Sequence, residues 1–292
     1  MRLGSAASAL ALLLAACGAS GDSAHREETT TEAHGAEAGH GETAAANGHG
    51  PALGPAEAHA GTNVPHPAAH QQATHWGYGN QRAWAGVSGL CGRGQEQSPI
   101  NLSSAAPMAE VPDLAPRYLP VEGGFVNNGH TLQFNPAQSA ATLGIGHDNY
   151  TFAQFHFHAP AEHMLDRRAY PAELHFVHRN EAGQLAVVGV FIEEGAENSA
   201  LAALLEHAPR EHGDEFAEHL SVNLTALLPP DRAYFAYAGS LTTPPCSEGV
   251  RWNVLRTPIT ASAQQIAALR EALGSSSRHT QPVNGRTVLL GS

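Results

Sequence analysis

The run Gln154-Phe155-His156-Phe157-His158 restricts the backbone more tightly than any other segment of the chain. Successive side chains of an extended strand point to opposite faces, so both phenylalanines share one face and Gln154, His156 and His158 share the other. A helix would scatter the same five residues around its circumference. The segment therefore belongs to a sheet with apolar core on one side and a row of imidazoles on the other. Similar short runs, rich in β-branched and aromatic residues, recur between turn signals at 131–134, 150–158, 173–178, 185–192, 234–240, 251–255 and 286–290. Helical spacing is confined to 200–206, with Leu201, Leu204 and Leu205 on one face, and to 263–273, opened by the capping-box pattern Ser262-x-x-Gln265. These signals predict a mainly β (α+β) single domain over residues 73–292 with peripheral helices.

Upstream of residue 73 the composition changes. Arg2 precedes an apolar run from Ala6 to Ala16 that is too short to span a bilayer as a helix, and residues 1–16 read as a secretory signal. Its exit, Leu14-Ala15-Ala16-Cys17, resembles the lipobox of bacterial lipoproteins. That resemblance implies a lipid on Cys17 and an exported protein anchored on the periplasmic or cell-surface side. Cys91 and Cys246 remain, and an oxidising compartment lets them form a disulfide. Residues 17–72 are Ala, Gly, Glu, Thr, Pro and His with almost no large apolar side chain, the composition of a disordered tether. Seven histidines lie along it, which leaves open both weak zinc or copper binding and simple compositional bias.

A formal charge of −12 leaves no basic field for a phosphate backbone, so nucleic acid is excluded as a partner. All 15 basic residues are arginine, which removes Schiff-base enzymes and P-loop NTPases, both of which need a lysine. Gly86-Val87-Ser88-Gly89 lacks the second glycine of a nucleophile elbow and does not support a serine hydrolase. The 19 histidines are the anomaly.

His156 and His158 can approach one ion from a single strand, but a three-nitrogen base for zinc needs a ligand from a neighbouring strand. Glu173-Leu174-His175 supplies it. Glu173 shares a face with His175 and can accept its second ring N–H, and Gln154 can do the same for His156. Three neutral ligands with no fourth Cys, Asp or Glu in register leave a coordination position open to water, the mark of a catalytic rather than a structural zinc. Glu162-His163, at a strand end beside two ligands, reads as a buried network. His130 follows the Asn128-Gly129 turn signal and should be a solvated imidazole able to exchange protons near neutral pH.

Together these residues resemble the α-class carbonic anhydrases, from His75 to about Leu290. The resemblance is carried by His75-Trp76-Gly77-Tyr78-Gly79, Gln97-Ser98-Pro99-Ile100, Asn127-Asn128-Gly129-His130, Gln154-x-His156-x-His158, Glu162-His163, Glu173-x-His175 and Ser240-Leu241-Thr242-Thr243-Pro244-Pro245. It implies a large twisted, mainly antiparallel sheet, a Zn2+ cofactor, and reversible hydration of CO2 to bicarbonate and a proton by zinc-bound hydroxide. Under it His156, His158 and His175 are the zinc ligands, with Gln154 and Glu173 behind them. Thr242 would accept a hydrogen bond from the hydroxide and donate its own proton to Glu162. Val177, Val187, Leu241, Thr243 and Trp252 would line the CO2 pocket, and His130 would shuttle protons with support from Tyr78 and Asn128. The Cys91–Cys246 pair fits the compact bacterial branch, and a homodimer is compatible with it. Ser276 to Gln281 departs from the family's usual Asn and Arg-Pro pair, in the segment whose backbone carbonyl usually braces the ligand matched by His158. An inactive relative kept as a binding module would lack a ligand, and none is missing. A metal-trapping protein working through residues 17–72 is the other rival.

Overall fold

The computed structural model describes residues 76–291 apart from 210, 212 and 214, and leaves the side chains of 215–219 undescribed. The signal-type run, Cys17, the seven tether histidines and His75 lie outside the described residues. Among those described, no helix is long and apolar enough to cross a membrane.

Fourteen strands, numbered in chain order, form two sheets among the described residues. Three short ones, β1 (Asn101–Leu102), β7 (Met164–Leu165) and β8 (Arg168–Ala169), make the small sheet. The large sheet begins with β2 (Leu114–Arg117), β3 (Val121–Asn127), β4 (Leu132–Pro136), β5 (Thr142–Ile145) and β6 (Asp148–His158). It continues through β9 (Ala172–Arg179), β10 (Leu185–Glu194), β11 (Glu215–Val222), β12 (Tyr234–Ser240), β13 (Glu248–Ala261) and β14 (Leu289–Gly291). Its order is β11-β3-β4-β6-β9-β10-β13-β12-β14, and β2 and β5 extend from β6. Every pairing is antiparallel except β10 with β13, so the sheet is mixed but mainly antiparallel as expected.

Strand β6 divides the molecule into its two faces. Phe152, Phe155 and Phe157 are buried on the apolar side with Phe125, Phe134 and Phe176, and the Phe134 and Phe155 rings stack at 5.0 Å. A bulge between Phe152 and Gln154 in the pairing with β9 explains why Phe152 and Phe155, three apart, share that core. Strands β9 and β10 are buried almost throughout, which suits near-continuous apolar runs at the centre of a wide sheet. Helices α3 (Ser199–Glu206) and α4 (Ala263–Leu273) cover the phenylalanine face with Leu201, Leu204, Ile266 and Leu269. Asn198 caps α3, and the predicted Ser262–Gln265 capping box opens α4.

Several elements were not expected from the sequence. Helices α1 (Trp84–Val87) and α2 (Gly89–Arg93) are too short to produce a periodic signal. Strand β3 carries Gly123-Gly124, which weakens a strand pattern, yet a Cβ at Gly123 would run into the Asn135 carbonyl of β4. The expected strand at 286–290 is shorter and later, at Leu289–Gly291, because the Arg286 N–H closes a turn onto the Val283 carbonyl at 3.1 Å instead of joining a ladder.

Candidate metal centre

The pairing of β6 with β9 sets His156 directly opposite His175 and His158 opposite Glu173. Period-two geometry then brings three imidazoles together, with ring centroids 5.0, 5.2 and 4.7 Å apart. One nitrogen from each lies within 4.8 Å of the other two.

Each of the three rings has its second nitrogen occupied. His156 Nδ1 donates to Gln154 Oε1 at 2.8 Å, His158 Nδ1 to the Ser276 carbonyl at 2.5 Å, and His175 Nε2 to Glu173 Oε1 at 2.9 Å. Those bonds leave His156 Nε2, His158 Nε2 and His175 Nδ1 as the metal-facing atoms. His158 Nε2 is fully buried and has no hydrogen-bond partner, an atom that costs free energy unless something else ligates it. Burial holds all three imidazoles below the ordinary histidine pKa, His158 at about 4, with mutual repulsion adding to the effect at His156. Neutral imidazole is the form that binds a metal, so the donor set fits a zinc ion. The Ser276 to Gln281 departure leaves the His158 brace intact, because a backbone carbonyl supplies it whatever the side chain.

Glu173 is the hub behind the ligands. Its Oε2 accepts the backbone N–H groups of Glu162 and His163 at 2.9 and 2.8 Å, and Oε1 accepts from His163 Nδ1 at 2.8 Å as well as from His175. Burial alone would raise this carboxyl, but the two imidazoles and their hydrogen bonds hold it well below the usual carboxylate range. His163, Glu173 and His175 also lie close enough for a metal, yet their facing atoms are already hydrogen-bonded to one another. The network continues from His163 Nε2 to the Tyr237 hydroxyl at 2.6 Å, from there to Ser98 Oγ at 2.9 Å, and on to the Ser240 N–H at 3.1 Å. Ser240 immediately precedes Leu241 and Thr242. The expected burial of Glu162-His163 holds, whereas the path through Tyr237, Ser98 and Ser240 was not read from the sequence.

Glu162 lies on the ligand side. Its Oε2 is 3.5 Å from His158 Nε2 and 4.0 Å from His175 Nδ1, and Oε1 accepts the Arg278 N–H at 2.9 Å. Burial pushes its carboxyl up to about 7, partly offset by His175, the Arg278 N–H and the Thr242 hydroxyl. The Thr242 hydroxyl acts on this carboxylate, although Oε2 makes no well-formed hydrogen bond.

A cavity of about 170 Å³ opens onto His156 and His175. Val177, Val187, Leu241, Thr242, Thr243 and Trp252 line it, and Asn128, His130 and Gln154 stand on its wall. Trp76, Thr131 and Gln133 line it too and were given no role from the sequence. At its rim, Asn128 Oδ1 accepts the N–H groups of His130 and Thr131 at 2.9 and 2.8 Å, and Gly129 takes φ 79°, which fixes the expected turn. His130 is half-buried rather than fully solvated, because its ring stacks on Trp76 at 3.8 Å. The Tyr78 ring lies 6.5 Å from His130, with its hydroxyl buried and unpartnered. Cys91 and Cys246 form a disulfide with a Cα–Cα distance of 5.1 Å.

Known proteins share this sequence and this fold. The family model for eukaryotic-type carbonic anhydrases matches residues 79–291. A carbonic anhydrase of Pectobacterium carotovorum is 39% identical over 227 residues, covering 74% of this chain and 91% of that protein. One from Neisseria gonorrhoeae is 37% identical over 229 residues, covering 76% of this chain and 90% of that protein. The α-carbonic anhydrase of Thermovibrio ammonificans, solved with the inhibitor sulfanilamide, superposes with a TM-score of 0.71 at 38% identity over 74% of this chain and 98% of that one. With the family model spanning nearly all the described residues and every metal-facing imidazole in place, the chain belongs to the α-class carbonic anhydrases, enzymes of CO2 hydration.

Proposed function

We propose that this chain catalyses the reversible hydration of CO2 to bicarbonate and a proton, with Zn2+ held by His156 Nε2, His158 Nε2 and His175 Nδ1. A bound zinc ion would supply a hydroxide nucleophile from water near neutral pH. The remaining steps fall to the chain's own residues. Gln154, the Ser276 carbonyl and Glu173 fix the tautomer and ring plane of each ligand. Thr242 donates its hydroxyl proton toward Glu162, so its oxygen is left as an acceptor that orients the nucleophile's lone pair toward the substrate. Val177, Val187, Leu241 and Trp252 offer an apolar wall to a small uncharged molecule, with Thr243 beside it. His130, at the rim, receives the proton released in each cycle and passes it to buffer, while Asn128 holds its turn and Tyr78 shapes the water path.

The observation that carries the reading is the buried, unpartnered His158 Nε2 converging with two other neutral imidazoles at the floor of an open cavity. Stopped-flow CO2 hydration tests it. Activity should vanish with a zinc chelator and return with added Zn2+, and a zinc-loaded chain without hydration activity would overturn the reading. From Leu14-Ala15-Ala16-Cys17 we also infer export and a lipid anchor on Cys17. Cys17→Ser should then move the protein from the membrane to the soluble fraction, and an unchanged membrane fraction counts against the anchor.

A further inference from the structure

One short segment, Ser276–His279, touches both a metal-facing histidine and the carboxylate that serves Thr242. The Ser276 carbonyl accepts from His158 Nδ1, and two residues later the Arg278 N–H donates to Glu162 Oε1. Ser276 is further tied to the strand end by its Oγ, which accepts the Ala159 N–H at 3.0 Å, and by its own N–H to the Ala159 carbonyl at 3.0 Å. The segment follows Gly274 and Ser275 and has no helix or strand of its own. Its position is set from outside.

Two side chains do this. The Gln81 amide grips the segment on both sides of Arg278, with Nε2 donating to the Ser277 carbonyl at 2.8 Å and Oε1 accepting the His279 N–H at 2.9 Å. The Arg278 guanidinium turns away from the metal centre into the protein, where its residue is only 4% exposed. It donates to Gln97 Oε1 at 2.9 Å, to the Ser98 carbonyl at 2.7 Å and to the Cys91 carbonyl at 3.1 Å, and lies over the Trp84 ring at 5.6 Å. A buried cation whose hydrogen bonds all go to neutral acceptors, with the Glu162 carboxylate acting on it only through space, is a costly feature to keep for stability alone. Its rigid fork matches several fixed acceptors at once, which a lysine cannot do. Gln81, Trp84 and Cys91 all belong to the helical segment 78–93, and Cys91 carries the disulfide to Cys246 beside the Thr242 loop.

We propose that Gln81 and Arg278 are positioning residues, clamping the Ser276–His279 segment against the N-terminal helices so that its carbonyl holds His158 and its N–H holds Glu162. The inference rests on the reading of the site given above. Releasing the clamp frees the Ser276 carbonyl to leave His158 Nδ1, which loosens the ligand's orientation, and removes the donor that aligns Glu162 with Thr242. Loss of such outer partners lowers metal affinity or activity by about 10- to 100-fold.

The test uses Arg278→Lys and Gln81→Ala, with Tyr118→Phe as a control that breaks a buried hydrogen bond to His178 without touching the segment. Zinc affinity of the metal-free protein is measured by competition with a chromophoric chelator, and kcat/KM for CO2 is expressed per bound zinc. Arg278→Lys should weaken zinc binding by about 10-fold or more and lower kcat/KM per zinc, Gln81→Ala should move both in the same direction by less, and Tyr118→Phe should move neither. In a Glu162→Gln background Arg278→Lys should lower kcat/KM per zinc by less than it does in the wild-type protein, since the Glu162 alignment is already lost and only the hold on His158 remains to be loosened. Zinc affinity and kcat/KM within twofold of wild type in both variants would overturn the proposal, as would an equal loss in Tyr118→Phe. If Arg278→Lys does not fold, Gln81→Ala decides alone. A wild-type protein that binds zinc without hydrating CO2 defeats the reading of the site, and the zinc-affinity comparison still judges the clamp.

Discussion

His130 separates chemistry at the metal from removal of the proton, because it lines the cavity rim and is not one of the three metal-facing imidazoles. His130→Ala leaves the ligands, Thr242 and the apolar wall in place, so kcat/KM for CO2 should hold within about twofold while kcat at low buffer falls by about 10-fold or more. Added imidazole should restore much of that kcat, whereas a parallel collapse of kcat/KM would show that the ring supports the site structurally. The ligand residues were legible in sequence because a strand's period of two is strict, and it also placed Gln154 and Glu173 on the correct face. Partners separated by 74 or 139 positions, such as His163 with Tyr237 and Tyr237 with Ser98, leave no such trace. The same holds for His178, which points to the face opposite His175, is fully buried and shares a 2.7 Å hydrogen bond with the Tyr118 hydroxyl. Burial lowers its pKa from the ordinary 6.5 to about 4, with the Ala186 and Phe176 backbone opposing in part. Between these values the unfolded chain binds the extra proton, so the stability is intact above pH 6.5 and is lost as pH falls toward 4. The loss attributable to this group is about 3 kcal/mol. His178→Gln should flatten the acid limb of urea midpoint against pH by up to one proton, and an unchanged slope would assign the acid limb to other groups.

Elements with a strong period survived the passage from sequence to structure, and those without one did not. Strand β6, strand β12 and both longer helices lie where the residue pattern places them, within two residues at each end. Strand β11 is an edge strand whose run Glu215-Phe216-Ala217-Glu218-His219 mixes charge with apolar residues, and only pairing with β3 makes it extended. The capping box at Ser262 was readable as four residues, but the reach of Gln265 was not. Its Oε1 accepts the N–H groups of both Ser262 and Asn198 at 3.0 Å, and its Nε2 donates to the Asn198 carbonyl at 2.7 Å. Asn198 is the cap of α3, so one buried amide fixes the starts of two helices that cover the phenylalanine core. Ser262→Ala should cost about 1 kcal/mol, the ordinary value of a cap. Gln265→Ala strands two N–H groups and a carbonyl, and should cost about 2–3 kcal/mol in denaturant unfolding. Equal losses in the two variants would show that α3 and α4 are held by apolar packing alone.

At the scale of the whole molecule, the disulfide is the one cross-link among the described residues between the N-terminal helices and the β12–β13 connection. It links Cys91 of α2 to Cys246, between β12 and β13, at a separation of 155 residues, and so encloses most of the strands. Closing a loop of that length restricts the unfolded chain strongly, by roughly 5 kcal/mol in the chain-entropy model. Nothing comparable holds the helical segment by packing, since Leu90 is exposed and Trp84 is the only fully buried side chain of α1 and α2. The tie ends beside Thr242, because the Cys246 N–H donates to the Thr243 carbonyl at 2.8 Å. Removing it with Cys91→Ser and Cys246→Ser together should therefore act first on stability, lowering Tm by on the order of 10 °C. Once the protein is folded below its new Tm, the metal-facing histidines keep their strand pairing, so zinc content should stay at the wild-type ratio while kcat/KM falls less than in any ligand variant. Reduction of the wild-type protein should reproduce the same shift in Tm, which separates the bond from the side chains replaced. A Tm unchanged in both the double variant and the reduced protein would show that the helical segment is held by Gln81 and Arg278 without covalent help.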